Sequence, residues 1–144
     1  MDTLTQHHES IAALIARVFL GLLFFFQGYD AVFKVKTSNV IDTYESSFAN
    51  KGIPHFFTVC GAWFTSYAEL IGGLFLITGL FEYWSLSLLG LDLVVASIGF
   101  GIVSPMWDTR HVFPRLALLI FLLAIPPAWD HYSLDHLLSI IHKN

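Results

Sequence analysis

The chain has 144 residues, of which 56% are hydrophobic and only 12% are charged, and its formal net charge is −4. A soluble domain carries about twice that charged fraction. So few charges cannot cover a water-exposed domain of this size, and lipid is therefore the expected solvent. The negative charge and the lack of a basic run exclude a nucleic-acid partner. The single cysteine, Cys60, excludes an internal disulfide and a paired-cysteine redox or zinc motif.

Four apolar segments follow one another along the chain, each near the roughly 20 residues that cross a hydrocarbon core. The second and third segments are separated by only a few residues, so we expect them to form an antiparallel hairpin. The first segment is interpreted as a retained helix, because no signal-peptide pattern accompanies it. The predicted helices cover residues 11–33, 56–81, 84–103 and 112–128.

The predicted fold is all-α: an antiparallel four-helix bundle in the membrane, formed by a single domain over residues 1–144. Residues 34–55 are interpreted as the one sizeable polar loop. Residues 133–142 form a short amphipathic C-terminal segment, which we expect on the membrane surface. The loops hold more Lys and Arg than the termini, so the positive-inside rule favours loops in the cytoplasm and termini outside.

Ionisable side chains lie within or beside all four predicted helices. Arg17, Glu69 and Asp92 fall inside the first three, and Arg115 falls in the first turn of the fourth. A charge at the centre of a span costs at least about 2.5–3.5 kcal/mol, so such groups usually face the bundle interior and pair. We therefore expect Glu69 and Asp92 to approach the same interior.

Small residues share the helix faces that carry these charges. Gly28 lies on the face of Arg17, and Gly73 lies on the face of Glu69. Small residues allow close helix contact in lipid. The sequence therefore predicts a ligand-binding pocket formed by Arg17, Gly28, Glu69, Gly73 and Asp92. It leaves open whether these are a site for a quinone-like or lipid-like ligand, a proton-accepting pair, or structural contacts that fix helix register.

The seven histidines do not predict a metal site. They lie at helix flanks or in loops, and haem ligation across the membrane would need histidines within facing helices. His131 and His136 are five residues apart, which is the wrong spacing for one helix face. No metal and no catalytic residue is assigned, and no cofactor is identified beyond the quinone or lipid that the pocket would suit.

Three stretches of sequence together resemble a known family. The first is RVFLGLLF from Arg17, followed by QGY from Gln27; the second is ELIGGLFLITGL from Glu69; the third is YSLD from Tyr132. In this order, over nearly the whole chain, they resemble the DoxX family of small four-helix bacterial membrane proteins. One difference is Ala31, which stands where the family often has a lysine.

The resemblance implies an integral protein of the bacterial cytoplasmic membrane. It places Arg17, Gly28, Glu69, Gly73 and Asp135 at recurring family positions that have no known catalytic role. It also implies links to quinone and thiol redox processes, since the family is named after a subunit associated with a thiosulfate:quinone oxidoreductase.

Three functions are compatible with these observations. The first is an accessory subunit that binds a partner protein or a second copy of itself, contacts membrane lipid, and has a polar pocket in the membrane. The second is the membrane subunit of an enzyme of the thiosulfate:quinone oxidoreductase type. The third is a small transporter that works as an oligomer. The sequence leaves open whether the protein is an enzyme.

Overall fold

Helices make up nearly all of the computed structural model, which describes residues 2–103 and 109–142, with side chains from residue 7 and, after the gap, from residue 112. No β-strand occurs in these residues. A π-helical turn, Asp30–Lys34, extends the first helix, and a 3-10 turn, Pro127–Trp129, follows the fifth. The α-helices are α1 (Asp2–Tyr29), α2 (Thr37–Phe48), α3 (His55–Thr78), α4 (Glu82–Val103), α5 (Thr109–Ala124) and α6 (Leu134–Ile141).

The prediction of a polar loop over residues 34–55 is wrong for its central part, which forms α2. The helix forms because Val40 and Tyr44, one turn apart, face the other helices while most of its remaining side chains stay in solvent. Contacts with α3 and α4 thus stabilise a segment whose composition alone indicates a loop.

Among the described residues, three helices are long and apolar enough to cross a membrane: His7–Lys34, His55–Thr78 and Glu82–Val103. The first helix begins before the predicted residue 11, and α3 ends three residues before the predicted 81. The predicted fourth helix, 112–128, is wrong at its end, because α5 stops at Ala124. The two prolines that follow cannot continue a helix. The apolar part of α5, Val112–Ala124, is shorter than the three spans.

The long helices pack in a consistent order. Helix α1 packs along α3, α3 packs on α4, α4 on α5, and α5 contacts α1. Fully buried leucines and one phenylalanine fill the space between them, while large apolar side chains such as Phe19, Phe26 and Ile98 point outward. Outward apolar side chains on spanning helices contact lipid. The core side chains with almost no exposure include Leu20, Phe24, Leu76 and Leu89.

Glycines allow α1 and α3 to approach closely. A Cβ atom added to Gly73 would lie 2.5 Å from the backbone nitrogen of Phe25, and one added to Gly28 would collide with the backbone of Leu70. Backbone atoms cannot move aside as a flexible side chain can. Two of the residues predicted as ligand-binding, Gly28 and Gly73, therefore lie where these helices pack closely together.

Candidate functional site

A cavity of about 350 Å³ lies between α2 and the long helices. Residues of α1, α3, α4 and α5 also line it. Several helices contribute to both the polar and the apolar part of its lining. The apolar lining is Ala31, Val40, Leu93, Ala96, Phe100 and Val112. The polar lining is Gln27, Tyr44, Thr65, Ser66, Glu69, Asp92 and Arg115.

Glu69 and Asp92 are the two acidic residues of this cavity. Glu69 lies on α3, one turn after Ser66, and Asp92 lies on α4. They are 6% and 1% exposed. The structure thus brings together the two carboxyl groups that the helix faces predict to approach one another.

Two buried polar atoms of the cavity have no hydrogen-bond partner among the described residues: Oδ1 of Asp92 and Oγ of Ser66. Both residues are only 1% exposed. A buried polar group left without a partner costs about 1–3 kcal/mol. Such groups are rare in folded proteins, and strain, a catalytic role, a water or a bound ion usually accounts for them.

Arg115 is the cation of the cavity. Its guanidinium carbon lies 5.5 Å from the centre of the Phe24 ring, at the distance of a cation–π contact. It makes no ion pair within 4 Å with any carboxylate of the described residues. Arg115 is predicted as a charge in the first turn of the fourth helix, but not as a residue of the pocket.

Helix α2 covers the cavity with Val40 and Tyr44. The Tyr44 hydroxyl lies 3.4 Å from Oγ1 of Thr65 on α3. Burial is the main cause that raises the Tyr44 pKa above its ordinary value of 10.0, while the hydrogen bond with Thr65 acts in the opposite direction. A contact between the Glu45 carboxylate and Nδ1 of His55 also connects α2 to the start of α3. Sequence reasoning misses Tyr44, although the spacing of Val40 and Tyr44 is a helical signal.

Arg17, also predicted as ligand-binding, lies outside the cavity lining, about three helical turns from Gln27 along α1. Its side chain is 1% exposed. One terminal nitrogen donates a hydrogen bond to the Tyr132 carbonyl oxygen at 2.9 Å, and its Nε lies 3.4 Å from an Asp130 carboxylate oxygen. Arg17 therefore binds the segment that follows α5 rather than Glu69.

Asp135 joins the same segment to the turn between α3 and α4. Its two carboxylate oxygens accept hydrogen bonds from the backbone N–H groups of Phe81 and Glu82, each at 3.0 Å, at the start of α4. Its own N–H donates to the Gly79 carbonyl at 3.0 Å. A carboxylate at a helix N-terminus is favourable. In this structure, Arg17 and Asp135 hold the C-terminal segment in place.

His131 and His136 approach one another despite their unfavourable spacing on a helix. Nδ1 of His131 lies 3.4 Å from Nε2 of His136. They can do so because His131 precedes α6, and the turn before the helix folds it back. The described residues contain no group of three or more residues able to hold a metal ion.

A family model agrees with the sequence resemblance. The model named DoxX matches residues 12–101, which is more than half of the chain. No curated protein and no solved structure matches the chain. The matched region contains α2, α3, most of α1 and α4, and most of the cavity lining. Arg115 and the C-terminal segment lie beyond it.

Proposed function

This chain belongs to the DoxX family of membrane proteins, and from that premise we propose that it is an accessory membrane subunit whose cavity binds a small ligand from the membrane. The single observation that carries this proposal is the cavity itself. Two acidic groups from different helices, Glu69 and Asp92, reach it, and two of its buried polar atoms have no partner among the described residues. Such groups within a membrane usually mark a functional site.

The lining suits an amphiphilic ligand. Its apolar side chains would contact rings or methylene groups, while the hydroxyl and carboxyl groups would bind a polar head. A volume of about 350 Å³ is at the lower end of ordinary ligand cavities. The head group of a lipid, or the ring of a quinone, has a suitable size and polarity.

We also propose that α5 crosses the membrane as the fourth helix of an antiparallel bundle. It packs against α4 and α1, both of which are candidate spans. Its apolar helical stretch is short, but residues 125–128 continue the apolar sequence beyond its end. A bundle with so little chain outside the bilayer suits a role beside a partner protein or a second copy, in a bacterial cytoplasmic membrane.

Ligand extraction tests this function. The full chain is solubilised gently and examined by native mass spectrometry, and its lipids and quinones are extracted from the same sample. We expect one ligand bound per chain, which the variant Glu69→Gln loses. The matched control is Asp42→Asn, which makes the same kind of change at an exposed position of α2 and should keep the ligand.

The identity of the ligand separates the functions. A bound quinone would favour the membrane subunit of a redox enzyme, and a bound lipid would favour the accessory role. A folded protein that carries no ligand, or one that Glu69→Gln binds as well as the unchanged chain, would contradict the proposal.

A further inference from the structure

We propose that the ligand recognised by this cavity is a zwitterion whose protonated primary amine binds Asp92 and Ser66 and whose anionic group binds Arg115. This inference rests on the proposed function, because it names the ligand class of the same cavity. The ethanolamine phosphate head of a phospholipid has this chemistry, and so does a free amino phosphate.

The unpartnered atoms of the cavity call for hydrogen-bond donors. Oδ1 of an ionised Asp92 only accepts, and the Ser66 hydroxyl can accept as well. Both are buried without a partner among the described residues. A primary ammonium group has three N–H donors, enough to reach Asp92, Ser66 and the neighbouring Glu69 carboxyl. The oxidised ring of a quinone offers only acceptors and would leave an ionised Asp92 unsatisfied.

The charges of the lining favour the same ligand. Glu69 and Asp92 supply two acidic groups against the single guanidinium of Arg115, and no ion pair within 4 Å joins them in the described part of the chain. Burial disfavours the ionised form of both carboxyl groups. A positive group placed beside them would favour their ionised form, because opposite charges interact strongly in a low-dielectric site.

Arg115 supplies the second half of the recognition. Its guanidinium faces the Phe24 ring and lines the cavity, without a carboxylate partner among the described side chains. Guanidinium groups bind phosphate and carboxylate through paired N–H donors. Binding of an anionic group at Arg115 and of an amine at Asp92 would orient the ligand along the cavity.

Binding of four small probes to the purified full chain in detergent tests the proposal. The probes are phosphoethanolamine, phosphocholine, ethanolamine and inorganic phosphate, measured by calorimetry. We expect phosphoethanolamine to bind at least about tenfold more tightly than phosphocholine, whose quaternary nitrogen has no N–H donor. Ethanolamine and phosphate, with one charged group each, should both bind more weakly than phosphoethanolamine.

Variants locate the binding site. Asp92→Asn should weaken phosphoethanolamine binding at least tenfold. Asp42→Asn, at an exposed position of α2, should leave it unchanged. Ser66→Ala makes a smaller change to the core and should weaken it several-fold, so it tests the site even if Asp92→Asn does not fold. Equal affinities for phosphoethanolamine and phosphocholine, or an unchanged affinity in Ser66→Ala, would overturn the proposal.

Delipidation of the purified chain identifies the source of the ligand. Retention of a phosphatidylethanolamine through delipidation would show that the ligand is a lipid head group. Binding of free phosphoethanolamine without such retention would show that the ligand is a soluble amine. Both results support the amine class. A quinone that is extracted from the unchanged chain and lost in Glu69→Gln, with no phosphoethanolamine binding, would overturn this inference alone. A folded chain that binds neither of these and carries no other extractable membrane ligand would overturn the proposed function too.

Discussion

The Nε of Arg17 on α1 lies 3.4 Å from a carboxylate oxygen of Asp130, in the segment between α5 and α6. The arginine is 1% exposed, whereas the Asp130 side chain is 15% exposed. The same guanidinium donates to the Tyr132 carbonyl. The pair therefore connects the interior of the first span to the C-terminal segment.

The first prediction concerns this ion pair. Asp130→Asn removes the carboxylate that pairs with the buried guanidinium of Arg17, and loss of one partner of a buried pair costs about 3 kcal/mol or more. We expect the variant to unfold at a lower temperature in detergent, measured by size-exclusion chromatography after heating. The double variant Arg17→Met with Asp130→Asn removes both charges and should be more stable than Asp130→Asn alone. A double variant less stable than Asp130→Asn would contradict this account.

The second prediction concerns the contact between α1 and α3. Gly73→Ala places a methyl group against the Phe25 backbone, so the helices must separate, at a cost of about 1–3 kcal/mol. The matched control is Gly61→Ala on the same helix, where an added Cβ meets nothing within 4 Å. The control should be neutral or stabilised by up to about 1 kcal/mol, since alanine favours helix. Equal thermal stabilities of the two variants would show that the close contact does not matter.

The third prediction concerns the end of α3. Gly79 has a φ of 67°, its N–H donates to the Leu76 carbonyl, and an added Cβ would collide with the Arg17 guanidinium. Gly52 has a similar φ of 70° but open space around it. Gly52→Ala should thus cost only the backbone strain, about 1–2 kcal/mol, and Gly79→Ala should cost clearly more. Denaturant titration compares them, and an equal loss in both would exclude the collision as a cause.

The fourth prediction concerns pH. Burial raises the Tyr44 pKa in the folded protein, so the folded chain keeps this proton at a pH where the unfolded chain releases it. The contribution of the neutral phenol is complete below pH 10, the ordinary pKa, and is lost as the pH rises above it. Tyr44→Phe should therefore reduce the fall of the melting temperature between about pH 9 and pH 11.

A comparison of two tyrosines isolates this effect. Tyr44 contacts Thr65 and lines the cavity with Glu69, Asp92 and Arg115, whereas Tyr83 is exposed. Tyr83→Phe removes an exposed hydroxyl, and the melting temperature of this variant should fall with rising pH as much as that of the unchanged chain. If Tyr83→Phe reduced the fall of the melting temperature as much as Tyr44→Phe does, burial of Tyr44 would not be the cause of that fall.

The class of the protein and the approximate positions of its long helices follow from the sequence alone. Hydropathy and length act along the chain, and the bilayer requires about 20 apolar residues for each span whatever the partners are. The faces that carry Glu69 and Asp92 follow from helical periodicity alone, which is why their approach was predictable. The family resemblance was visible in the same way, since its three blocks are contiguous stretches of sequence.

Which side chains contact one another depends on the packing of the helices. Helix α2 forms because Val40 and Tyr44 find contacts on other helices, and Tyr44 and Arg115 join Glu69 through segments far apart in sequence. Arg17 forms an ion pair with Asp130 and does not line the cavity. Periodicity places a side chain on a face, but the partner on the facing helix depends on packing, which the order of residues along one helix does not contain.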